Sequence, residues 1–104
     1  MKLWQTARFD HTFKKLHSST QAKVVEAMRS LSRNPLLGEQ KKGDLGEFRV
    51  YKFREGKHLW LLAYRWKESD SIQLIDLGSH ENFYRRLRKL RGVAANDHVI
   101  TEEL

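Results

Sequence analysis

The apolar positions change period several times along the chain, and each change marks an element. Residues 2–6 (KLWQT) alternate apolar and polar side chains and predict a short edge strand. From Ala7 the spacing turns helical, with Phe9, Phe13 and Leu16 on one stripe and Lys14, Lys15 and His17 outside it. Ser18-Ser19-Thr20-Gln21 has the form of a capping box, in which Ser18 accepts from the third amide and Gln21 reaches back. The helix it opens carries Val24, Val25, Met28 and Leu31 as its apolar stripe. It stops at Asn34-Pro35, because the residue before a proline avoids the helical region. A hairpin of two antiparallel helices is therefore expected.

Residues 36–46 read as a loop punctuated by Gly38, Gly43 and Gly46. Over residues 47–54, Phe48, Val50, Lys52 and Arg54 alternate with Arg49, Tyr51 and Phe53, the period of a strand. Glu55-Gly56 is a turn, residues 58–67 form a central apolar strand, and residues 72–77 form a third. Ser79 is placed to cap a last helix over residues 80–91, with Phe83, Leu87 and Leu90 facing the core and Gly92 at its C-terminal cap. The order β-α-α-β-β-β-α is an α+β fold: an N-terminal edge strand and helical hairpin, then an antiparallel β-meander and a C-terminal helix. Residues 1–91 are expected to form one domain, and residues 92–104 a flexible tail.

Charge adds direction to this frame. The 104 residues carry a formal net charge of +7, and the isoelectric point is near 9.9. All 20 lysines and arginines lie between Lys2 and Arg91 against ten acids, a surplus of ten, while the tail is acidic through Asp97, Glu102 and Glu103. So cationic a body suits a polyanionic partner. The chain has no cysteine, which removes disulfides and thiolate metal sites. It has neither an apolar run of membrane-spanning length nor a signal peptide, so a cytoplasmic protein away from the membrane is expected. The histidines and carboxylates show no metal-ligand spacing, and no phosphate-loop or dinucleotide motif occurs; no metal or other cofactor is expected.

His80, Tyr84 and Arg88 are four residues apart and would share a face of the last helix, apart from its apolar stripe. A histidine and a tyrosine beside cations are what phosphodiester cleavage needs. One group moves the 2′-hydroxyl proton, another serves the leaving 5′-oxygen, and cations hold the phosphate charge. The same three residues also describe an ordinary exposed helix face. Arg49 and Arg65 interrupt apolar strand faces, which is costly unless each finds a partner. Either a salt bridge, to Asp76 or Glu47, or a phosphate satisfies that need. Lys52, Arg54 and Lys57, with Arg85 and Arg88, would line a groove for an RNA backbone, although basic residues at a helix C-terminus also suit its dipole. Trp66, at a strand end, is a candidate for stacking a base, whereas Trp4 and Trp60 read as core.

The string Asp76-Leu77-Gly78-Ser79-His80-Glu81-Asn82-Phe83-Tyr84 resembles the closing strand and helix start of the RelE/ParE toxin superfamily. Residues 43–51 (GDLGEFRVY) resemble that family's loop leading into an arginine-bearing strand, and the order of elements agrees over residues 2–91. The resemblance implies a toxin of a toxin–antitoxin pair, held inactive by a cognate antitoxin, that cleaves messenger RNA on the ribosome without a metal and leaves a 2′,3′-cyclic phosphate. It implies His80 as the proton-transfer group, Tyr84 as orienter or second acid/base, Arg49 and Arg65 as the cations on the phosphorane, and Lys52 and Arg54 as RNA-positioning groups. The chain departs from the family where a Tyr-Arg-hydrophobic opening of the second strand is replaced by His58-Leu59-Trp60. Arg65, or His58, would then take the missing role. The alternatives are a ParE-like inhibitor of DNA gyrase, a non-catalytic nucleic-acid-binding module, and an inactive relic of the fold.

Overall fold

A computed structural model describes residues 2–67, 71–80, 82–92 and, as backbone, 97–101. Strand β1 (Lys2–Thr6) runs straight into helix α1 (Ala7–Lys14), because the Thr6 hydroxyl accepts from the Phe9 amide at 3.1 Å and so caps it. Helix α2 (Ser18–Arg33) follows. The expected capping box does not form: α2 already begins at Ser18, its cap residue His17 makes no side-chain bond, and Gln21 instead donates to the Phe13 carbonyl at 2.9 Å. That bond ties the start of α2 to the end of α1. Asn34 leaves the helix with φ −147°, as the following proline demands.

The loop contains two small elements, strand β2 (Glu39–Gln40) and a 3-10 turn (Gly43–Leu45). Strands β3 (Arg49–Glu55), β4 (His58–Trp66) and β5 (Ser71–Ser79) form the expected meander. Gly56, at φ 59°, takes the left-handed conformation needed in the two-residue β3–β4 turn. Helix α3 is shorter than expected, Phe83–Lys89, because β5 keeps pairing through Ser79, opposite Trp60. Ser79 is therefore the end of a strand and not a helix cap. The tail supplies strand β6 (Asp97–Thr101), antiparallel to β1. The sheet order is β2-β3-β4-β5-β1-β6, so β1, expected at an edge, lies inside the sheet and runs parallel to β5.

Alternation divides the sheet into two apolar sides. Leu62, Tyr64, Ile72, Leu74 and Leu77 pack with Leu3 beneath Phe9 of α1 and Val24, Ala27, Met28 and Leu31 of α2. Val50, Leu61, Ala63 and Ile75 pack on the other side with Phe48, Leu45 and the α3 residues Phe83 and Leu87. A bulge opposite Ala63 and Tyr64 makes Ile75 the extra residue, so Ile75 and Asp76 both serve the α3 side. Asp76 is completely buried. One carboxylate oxygen accepts from the Leu77 amide at 2.9 Å and from Arg8 of α1 at 3.3 Å, and the other from Arg86 of α3 at 3.4 Å. Arg86 reaches it across Gly78, where a Cβ would stand 2.4 Å from the guanidinium.

Removing one member of a buried ion pair strands the other charge and costs roughly 3–5 kcal/mol, less where the cations keep partial access to water as Arg8 and Arg86 do. Asp76→Ala is therefore expected to lower the unfolding free energy by about 2–3 kcal/mol in urea titrations. A loss below about 1 kcal/mol would show that the carboxylate does not hold the helices.

Candidate functional site

The α3 side of the sheet is apolar at its centre and cationic along one flank. Val50 and Ala63 are covered, but β3 continues outward through Lys52 and Arg54, both exposed on the same side, with Leu61 and Leu59 opposite them on β4. On the other neighbour of β3, Glu39 pairs with Val50 and thus faces the same way, and Lys41 follows one turn of the alternation later.

Tyr84, on the first turn of α3, is half-buried against this surface. Its ring meets Phe83 edge-on at 5.5 Å between centroids and His80 edge-on at 6.1 Å. The Lys41 ammonium lies over it, 5.0 Å from the ring centroid. His80 is exposed and lies in the connection between β5 and α3, not inside the helix. Asn82 makes that connection by adopting the left-handed region at φ 63°, a conformation that asparagine tolerates better than most residues. The expected face His80-Tyr84-Arg88 is thus not a helix face. A tight turn, closed by the Phe83 amide on the His80 carbonyl at 3.3 Å, brings the two rings together instead.

Lys41 is the residue that sequence reasoning missed. Its Nζ donates to Glu39 Oε1 at 2.8 Å. The Glu39 bond raises the Lys41 pKa above its usual value, and the same bond holds the Glu39 carboxyl below its own, with Lys52 and Lys42 adding to the effect. Glu39 falls in a strand of only two residues and Lys41 directly after it, a stretch too short for a period to be visible.

This geometry can be set beside known proteins. The sequence profile of the ParE-like toxin of type II bacterial toxin–antitoxin systems matches residues 3–88. The chain belongs to this toxin family. Among curated protein sequences none matches it. Solved structures that share the fold of this ParE-like toxin include the following. The E. coli toxin RelE in the free state, carrying two substitutions, superposes with a TM-score of 0.69 at 16% identity, covering 90% of this chain and 100% of that one. The intact E. coli RelBE toxin–antitoxin complex gives 0.62 at 17% identity, over 77% of this chain and 96% of that one. The isolated E. coli RelE toxin gives 0.59 at 15% identity, over 86% and 97%.

The toxin fold does not gather all the residues expected at its site. His80, Tyr84, Lys52 and Arg54 belong to the α3 side. Arg49 belongs to the helical-hairpin side, since it alternates with Val50. Its guanidinium donates to the Gly38 carbonyl at 2.7 Å and the Leu36 carbonyl at 3.5 Å. Arg65 is on the α3 side but is taken up by Glu47, with bonds to Gln73 Oε1 at 2.7 Å and the Leu90 carbonyl at 3.4 Å, and its side chain is 11% exposed. Burial opposes ionisation of Glu47, but the Gly92 amide and Arg65 still hold its carboxyl below the ordinary range. Arg88 pairs with Asp44 at 3.0 Å, Arg85 is exposed on α3, and Lys57 sits on the β3–β4 turn. His58 tilts against Trp60, on the hairpin side, and so does not replace a cation near Tyr84. Trp66, also exposed, alternates with Tyr64 onto that same hairpin side.

Arg49 nonetheless acts on the site from beneath. The Tyr64 hydroxyl donates to the Pro35 carbonyl at 2.6 Å and accepts from the Gly38 amide at 2.9 Å, while Arg49 takes the Gly38 carbonyl. Three bonds thus fix the chain immediately before Glu39. A Cβ on residue 38 would stand 2.6 Å from the Tyr64 ring, so only glycine lets the loop lie this close. Burial pushes the Tyr64 hydroxyl above its usual pKa of 10.0. A folded-state pKa above the unfolded value means that stability is full below about pH 10 and falls as the pH rises beyond it. Tyr64→Phe is expected to cost about 1–2 kcal/mol at pH 8, by orphaning the Gly38 amide, with the difference from wild type shrinking above pH 10 in urea titrations. A difference independent of pH would contradict the buried hydroxyl.

Proposed function

We propose that this toxin is a metal-independent messenger-RNA endoribonuclease that works on the ribosome in the cytoplasm and is neutralised by a cognate antitoxin. The observation that carries this reading is the contact between His80 and Tyr84 on a surface flanked by Lys41, Lys52 and Arg54. Cleavage by the substrate's own 2′-hydroxyl needs a proton acceptor, a donor to the 5′-oxygen and positive charge on the phosphorane, all placed beforehand. His80, exposed at the end of β5, is positioned to exchange the proton. Tyr84 orients it and can serve as the second acid/base. Lys52 and Arg54 lie where the RNA backbone would run, with Lys57 further along the same flank and Arg85 and Arg88 on α3. Arg49 and Arg65, committed to Gly38 and Glu47, leave the charge on the phosphorane to the lysines of this flank. The 2′-hydroxyl attack forms one P–O bond as the bond to the 5′-oxygen breaks, giving a 2′,3′-cyclic phosphate and a 5′-hydroxyl.

The match to a ParE-like profile favours a second reading, inhibition of DNA gyrase, which needs no acid/base pair. Tightly controlled expression in a bacterial host, with translation, replication and transcript ends followed together, separates the two. The ribonuclease reading expects early loss of translation and new 5′-hydroxyl ends inside coding regions. His80→Ala and Tyr84→Phe should each reduce this cleavage by about 10²-fold or more, the scale of a lost acid/base group. Arrested replication with intact transcripts would move the function to gyrase, and unchanged cleavage by both variants would remove the assigned roles.

A further inference from the structure

The Glu39–Lys41 pair is oddly placed for a structural salt bridge. The glutamate side chain is 67% exposed, whereas the lysine it holds is 20% exposed and lies against Tyr84. Lys52 and Lys42 act on the same carboxylate. One tethered anion is thus set among three lysines on the flank of a body with ten surplus cations, one lysine away from the His80–Tyr84 pair. Leu59 and Leu61 of β4 place no cation opposite Arg54 and Lys52, whereas Lys41, directly after β2, lies over the Tyr84 ring. An exposed ion pair contributes little to stability, which makes the carboxylate easy to displace.

We propose that Glu39 occupies, in the free toxin, the seat that a phosphate of single-stranded RNA takes against Lys41 and Lys52. The proposal rests on the ribonuclease reading for the identity of the ligand, and on the geometry for the seat. Glu39 is then a built-in competitor that an RNA phosphate displaces, and Lys41 contacts the substrate. An RNA phosphodiester carries one negative charge over two non-bridging oxygens, as the carboxylate does, and can turn one oxygen to each lysine. The tether before Glu39, through Gly38, Tyr64 and Arg49, keeps the lysine in place after the carboxylate leaves.

The two residues of the pair should therefore move RNA affinity in opposite directions, with the Lys41 effect larger than the screened long-range charge of a pair outside the RNA's path. The probe is a fluorescent 2′-O-methyl single-stranded RNA, which lacks the attacking hydroxyl, titrated by anisotropy with full-length toxin at several salt concentrations. Lys41→Gln should weaken binding about tenfold and flatten the logarithmic salt slope by about 0.7, one phosphate contact on a single strand. Lys41→Arg should bind nearly as wild type, and Glu39→Gln should bind about threefold more tightly, the scale of an exposed ion pair. Melting curves confirm that each variant is folded. Weaker binding by both Gln variants, or no change in either, overturns the seat. Tightening of a glutamate-rich peptide but not of the RNA by Glu39→Gln also overturns it, by assigning the surface to an acidic protein segment. Parallel cleavage assays on ordinary RNA in a translation reaction keep the two claims apart. Opposite shifts in binding without cleavage by any form would keep the seat and remove the ribonuclease. Cleavage by wild type with binding shifts of the same sign would do the reverse.

Discussion

The carboxylate of Asp76 is the point on which the arrangement turns. It has no access to water, and a bare carboxylate there would be far more costly than any single packing contact in the domain could repay. Its two oxygens are met by Arg8, from the first helix, and Arg86, from the last, so ends of the chain that share no apolar core are joined at one residue of β5. Two features of β5 make this geometry available. The bulge at Ile75 turns Asp76 toward α3, and Gly78 leaves the space through which Arg86 passes. With Arg86 fixed, a seven-residue helix that would be marginal alone has a defined position, and Tyr84 on its first turn meets His80 and Lys41.

The sheet then separates two tasks. Its hairpin side holds the larger apolar cluster, closed by α1 and α2, and includes the Tyr64–Gly38–Arg49 bonds that hold the loop before β2. Its α3 side carries a smaller cluster whose outer margin is left to charged and titratable groups. The two are coupled because β2 begins where the hairpin-side bonds end and brings Lys41 over the edge of the sheet to Tyr84. The positive surplus of the body is therefore not spread evenly in effect. Several cations, Arg8, Arg65, Arg86 and Arg88, are paired with acids and support the fold, while Lys52, Arg54 and Lys57 face solvent along one strand and its turn.

Much of this was legible in the residues. The helical stripes of Phe9/Phe13 and Val24/Met28/Leu31 and the alternation of residues 47–54 place α1, α2 and β3, and the α+β order follows. Elements shorter than a period were not legible: β2, with two residues, lay hidden in a glycine-rich loop, and with it Lys41. Ser79 misplaced the start of α3 because a strand end and a helix cap favour the same small polar residue, and only the pairing with Trp60 distinguishes them. The tail has too few residues to show that it holds a five-residue strand, four of whose residues pair with β1. Arg49 is the most instructive case. The alternation that places Lys52 and Arg54 on one side already puts Arg49 on the other, so a family correspondence of sequence position and the physical period disagreed, and the structure follows the period. For Arg65 the choice between a phosphate and a carboxylate partner was open in the sequence, and Glu47 occupies it.

The cleavage of RNA by internal attack proposed for the His80–Tyr84 surface is open to direct measurement. The most direct measurement incubates purified toxin with ribosomes programmed by a defined messenger, in parallel with DNA gyrase and relaxed plasmid, and reads both the RNA termini and the supercoiling. A ribonuclease of this kind leaves paired 2′,3′-cyclic phosphate and 5′-hydroxyl ends that persist when the toxin has been treated with a chelator, with supercoiling unaffected. Intact messenger together with blocked supercoiling would contradict the proposed cleavage.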